Sequence, residues 1–106
     1  MDRKMLSPCI LLIDNDVKLL VKLEAALKRA GYRVLTAHTS SQAAYLAQAA
    51  FPEVIVCGET DDFDVRNAFA QDSQMASVPF IRLTKQLDQY ELVARLNAVI
   101  RSHAVR

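Results

Sequence analysis

A chain of 106 residues, 52% hydrophobic and 24% charged, has the size and composition of one ordinary globular domain, with no room for a second core. Thirteen Lys and Arg against twelve Asp and Glu leave a net charge of +1, which excludes a polyanion-coating surface and with it nucleic acid as the expected partner. Two glycines, two cysteines and two histidines, none closely spaced, exclude a dinucleotide fingerprint, a phosphate P-loop and a zinc set.

The first element is the continuous apolar run Cys9 to Ile13. A run without polar alternation suggests a strand covered on both faces, as in parallel sheets. Residues 16–30 follow with helical period, Leu19, Leu20, Leu23, Ala26, Leu27 and Ala30 forming one stripe. Asn15 or Asp16 is placed to cap this helix and Gly31 to end it. Val17 and Val21 lie off the stripe and are expected to be partly buried.

Arg33 to Ala37 reads as a second strand. Thr39 and Gln42 have the spacing of a capping box, opening an Ala-rich helix to about Ala50 that Phe51-Pro52 terminates. Val54 to Cys57 is a third buried strand, and 64–72 a weaker helix with Val65, Ala68 and Phe69 inward. A fourth strand is predicted from Val78 to Leu83, with Pro79 near its start. Asp88 and Glu91 then open a helix to about Ser102, with Leu92, Val93, Leu96, Val99 and Ile100 inward. Strands joined by helices of this length imply right-handed crossovers, hence an α/β domain over 1–106 with helices on both faces of a parallel sheet.

No apolar run approaches the ~18 residues of a membrane span, and the first residues lack a signal-peptide core. A cytoplasmic location is expected, with reduced cysteines. Cys9 opens strand one and Cys57 closes strand three, roughly 15 Å apart along parallel neighbours. That is beyond disulfide reach.

In open parallel sheets ligands bind beyond the carboxyl ends of the strands. Those ends carry Asp14, Asn15 and Asp16, then His38 and Thr39, then Gly58, Glu59, Thr60, Asp61 and Asp62, then Thr84 and Lys85. Acids facing a hydroxyl and an ammonium suit Mg²⁺-assisted phosphoryl transfer. Structural readings stand beside that one. Asp14, Asn15 and Asp16 can end a strand and cap a helix, and Gly58 can serve backbone conformation at a strand exit. Asp61, Asp62 and Asp64 can open a helix, and Lys85 and His38 can be plain surface.

Four segments carry a resemblance to a known family: Ile10 to Asp16, Ala30 to Val34, Pro52 to Val56 and Val78 to Thr84, with Glu91 to Leu96 as a fifth. Together they resemble the response-regulator receiver domain of bacterial two-component signalling, over nearly the whole chain. The resemblance implies a flavodoxin-like three-layer fold with the sheet shortened to about four strands in the order 2-1-3-4. It places the family's metal-organising acid pair on Asp14 and Asn15, its hydroxyl on Thr84 and its lysine on Lys85. Its phosphoacceptor position falls on Gly58, and glycine has no nucleophile. Asn15 brings no charge to a hard dication, so no bound Mg²⁺ and no other cofactor is expected. The family's fourth helix and fifth strand are missing between Thr84 and Lys85.

Without a fifth strand, strand four becomes an edge. Alternation puts Phe80, Arg82 and Thr84 on one face and Ile81 and Leu83 on the other. Arg82 suits an open or partnered face, and Phe80 beside it is exposed unless something packs on it. The expected function is therefore that of a phosphorylation-independent pseudo-receiver, not an enzyme. It would bind a protein partner or a second copy through the strand-four edge, alone or as the N-terminal part of a longer protein. The alternatives are a small phosphoryl-transfer or phosphatase-like enzyme using Asp14 and Asp16, and a purely structural oligomerisation domain.

Overall fold

A computed structural model describes residues 7–58, 77–84 and 88–104. The elements are β1 (Cys9–Ile13), α1 (Val17–Arg29), β2 (Arg33–Ala37), α2 (Ser40–Ala50), β3 (Val54–Cys57), β4 (Phe80–Arg82) and α3 (Gln89–Ala104). Among the described residues the sheet has four strands, all parallel, in the order β2-β1-β3-β4. The helix expected over 64–72 lies outside the described residues.

Every residue of β1 and β3 is buried, which is why both runs lack polar alternation. On one face Ile10, Leu12, Val54, Val56, Ile81 and Leu83 pack with the leucines of α1 and α3. Leu11, Ile13, Ile55 and Cys57 line the other face under Ala43 and Ala47 of α2. Alanines at i and i+4 leave no side chain to hold that helix off the sheet. The bulkier cover is Leu20, Leu23 and Leu27 of α1 with Leu92 and Leu96 of α3. The Tyr32 hydroxyl, hydrogen-bonded to Asn97 Oδ1, ties the start of β2 to α3.

Several expectations need correction. Val17 and Val21 are exposed, at 54% and 60%. At 100° per residue Val21 lies roughly 150° from the centre of the leucine stripe, too far round to reach the sheet. Ala30 is also exposed, because the chain leaves the helix there. β4 is shorter than the run Val78–Leu83, although Pro79 O accepts from Ile55 N (2.9 Å) and Leu83 N donates to Cys57 O (2.8 Å) just outside it. Cys9 and Cys57 are buried thiols not joined in a disulfide, and Cys57 is level with Ile13 rather than with Cys9.

Candidate functional site at the crest of the central strands

Ile13 is level with Ala37 on one side and Cys57 on the other, and Cys57 is level with Arg82. The next residue on each of the two central strands is therefore Asp14 and Gly58, side by side at the carboxyl crest. Two backbone bonds hold them there, Gly58 N to Ile13 O (2.8 Å) and Asp14 N to Ala37 O (3.1 Å).

Asp14 is only 8% exposed, and it is the one buried charged residue among those described. Its Oδ1 accepts from Asp16 N at 2.9 Å. Oδ2 faces Gly58: a Cβ on that glycine would lie 2.0 Å from Oδ2 and 2.7 Å from Cγ. No side chain fits at position 58 while Asp14 stays in place. The expectation that Gly58 serves backbone conformation is corrected here. Gly31 is the described glycine with positive φ, whereas Gly58 has none. The Asp14 carboxylate occupies the space left open by the missing side chain at 58.

The remaining predicted residues are arranged as follows. Asn15 is exposed. Asp16 is the N-cap of α1, its Oδ1 accepting from Leu19 N at 3.2 Å. Thr84 is exposed. Lys85, Glu59, Thr60, Asp61, Asp62 and Asp64 lie outside the described residues. His38 is exposed, its backbone N donating to Gln42 Oε1 at 2.7 Å. Phe80 is half-buried against the α2-side core rather than exposed, and Arg82 is exposed. Among the described residues no group of three or more His, Cys, Asp or Glu is placed to hold a metal ion. No described helix is long and apolar enough to cross a membrane.

The juxtaposition of Asp14 with Gly58 is the feature that the residues alone did not disclose. Its signal was present: strand order 2-1-3 makes the crest residues of strands one and three lateral neighbours. An acid beside a glycine there invites the acid to fold over it.

A parallel sheet in the order 2-1-3-4, covered by helices on both faces, matches the flavodoxin-like fold of response regulator receiver domains. Known structures agree in shape. The chemotaxis response regulator CheY4 of Vibrio cholerae superposes with a TM-score of 0.81 at 21% identity, covering 89% of this chain and 99% of that one. A response regulator from Desulfuromonas acetoxidans gives 0.80 at 18%, covering 89% and 97%. A response regulator receiver modulated diguanylate cyclase from Pelobacter carbinolicus gives 0.81 at 16%, covering 92% and 96%. No protein-family model matches the chain, and no curated protein matches it in sequence.

Proposed function

We propose that this chain is a pseudo-receiver, a module of bacterial two-component-type signalling that works by binding protein and takes no phosphoryl group. The observation that carries this is Gly58 at the crest of β3, where the receiver resemblance puts the acceptor carboxylate. Carboxylate phosphorylation needs an oxygen nucleophile, and a glycine offers none. Among the described residues the neighbouring acids are engaged in structure: Asp14 Oδ1 with Asp16 N, and Asp16 with the first turn of α1. This removes support from a phosphatase-like use of the pair. Asn15 is neutral and exposed, and without an acid at 58 the crest offers a hard dication a poor oxygen set. The chain acts in this reading without Mg²⁺ or any other cofactor, in the cytoplasm.

The surface proposed for binding is the β4 edge, with a second copy of the chain as its occupant. Among the described residues no strand pairs with the outer side of β4, and only 83–88 separate it from α3. Arg82, exposed at that edge, gives it charge.

Two measurements test the reading. After incubation with acetyl phosphate and Mg²⁺, the intact mass is expected to remain that of the unmodified chain; a phosphoryl adduct on the wild-type protein overturns it. Sedimentation at tens of micromolar is expected to show a dimer weakened by Arg82→Glu, and a strict monomer removes the self-association part.

A further inference from the structure

We infer that the outer edge of β2 pairs with the same edge of a second copy, antiparallel about a two-fold axis at Leu35, so that the two sheets run on as one. This goes beyond the proposed function, because β2 and β4 are the opposite ends of the sheet. A chain that uses both edges links more than two copies.

Three observations carry it. The first is a backbone left open. Arg33 N donates to Pro8 O, and Ala37 O accepts from Asp14 N. Alternation therefore turns the amide and carbonyl of Arg33, Leu35 and Ala37 toward β1, and those of Val34 and Thr36 away from it. Among the described residues no strand pairs with that outer side.

The second is that nothing guards the edge. Its ladder to β1 runs from Arg33 to Ala37 without a bulge or a proline. Its one charge is at the first residue, Arg33, whose Nε donates to Ser7 O at 2.8 Å. Edge strands that stay single carry a bulge, a proline or a charge along their length.

The third says what the edge meets. From Val34 to Pro52 the sequence holds no Asp, Glu, Lys or Arg, in a chain that is 24% charged. That stretch makes β2 and the helix α2, which packs against β1 and β2, and it leaves Tyr45 and Phe51 exposed at 72% and 57%. An uncharged side suits another uncharged side, and its own copy supplies one with matching backbone groups. Centred on Leu35, the pairing sets Val34 opposite the partner's Thr36, Leu35 opposite the partner's Leu35 and Arg33 opposite the partner's Ala37, so no like charges meet. Val34, Leu35 and Thr36 are half-buried in one chain and gain cover from these cross-strand neighbours.

The test uses Arg82→Glu, which weakens the β4 contact, so that the two edges read separately. The β2 pairing is a small contact, and sedimentation equilibrium at about 0.5 mM is expected to show this variant as a dimer. Adding Thr36→Pro, which removes an outward amide and no bond to β1, is expected to return it to monomer. Adding Thr36→Lys instead supplies the charge that the edge lacks, leaves the backbone alone and is expected to do the same. An Arg82→Glu monomer beside a dimeric wild type overturns the inference and leaves the proposed function standing. A dimer that survives both Thr36 substitutions lies elsewhere and also overturns it. A strict monomer of the wild type removes this inference together with the self-association part of the proposed function. Hydrogen exchange is a local readout. Between about 20 μM and about 0.5 mM Arg82→Glu, the Val34 and Thr36 amides are expected to slow by about threefold or more, with those of Leu35 and Ala37 unchanged. Val34 and Thr36 rates independent of concentration overturn the inference.

Discussion

At the scale of single residues, the two glycines of this chain do opposite work. Gly31 follows the C-cap of α1 with φ at 101°, a backbone geometry that L side chains rarely adopt. Nothing lies within 4 Å of the position its Cβ would take. Gly31→Ala is therefore expected to cost about 1–2 kcal/mol through the backbone alone, read as a lower urea midpoint with an unchanged slope. Gly58 has no positive φ, and the Asp14 carboxylate reaches over it. A glycine ending a helical stripe announces its role through its neighbours in sequence. One that makes way for a carboxylate on the adjacent strand does not, because that carboxylate reaches it only through the fold.

At the scale of elements, each described helix has a reason to start where it does. Asp16, Thr39 and Asp88 accept from the backbone N of Leu19, Gln42 and Glu91 at 3.2, 3.1 and 2.9 Å. Glu91 Oε1 in turn accepts from Asp88 N at 3.5 Å, the capping-box arrangement on α3. In α2 Gln42 Oε1 accepts instead from His38 N, one residue before the cap. Asp88→Ala is expected to cost about 0.5–2 kcal/mol and to fray α3, seen as faster amide exchange in its first turn. These starts were legible because capping is a local matter of three or four residues. The far end of α2 was legible too, since the residue before Pro52 cannot continue a helix; Phe51 stops it with φ at 51°. The outward turn of Val17 and Val21 was missed. The leucine stripe locates the centre of the buried face, while its width depends on how α1 seats against the sheet and α3.

At the scale of the whole molecule, a sheet buried on both sides also buries groups that titrate. Burial pushes the Cys9 thiol up, with Arg33 pulling it partly back and Glu53 adding to the rise. Burial likewise pushes the Tyr32 hydroxyl up, partly opposed by Arg101. Both are acids whose neutral form is favoured in the folded state, so the unfolded chain loses these protons first. Their contribution is complete below their ordinary values and is lost as pH rises through the raised ones. Urea midpoints are expected to hold from about pH 6 to 8 and to fall above about pH 9. Tyr32→Phe should flatten the part of that fall beyond about pH 10. A midpoint rising above pH 9 would contradict this assignment.

Composition, apolar runs and caps were sufficient to determine an α/β domain with a parallel sheet, its four strands, and a glycine directly after β3, because burial on two faces and helix initiation are written in neighbouring residues. The order that sets β1 beside β3 was already implied by the resemblance; the register that brings Asp14 level with Gly58, and the turn of the Asp14 carboxylate over that glycine, were decided in three dimensions. Residues distant along the chain meet only when strand register brings them level, so the contact of Asp14 with Gly58 became visible only in the folded sheet.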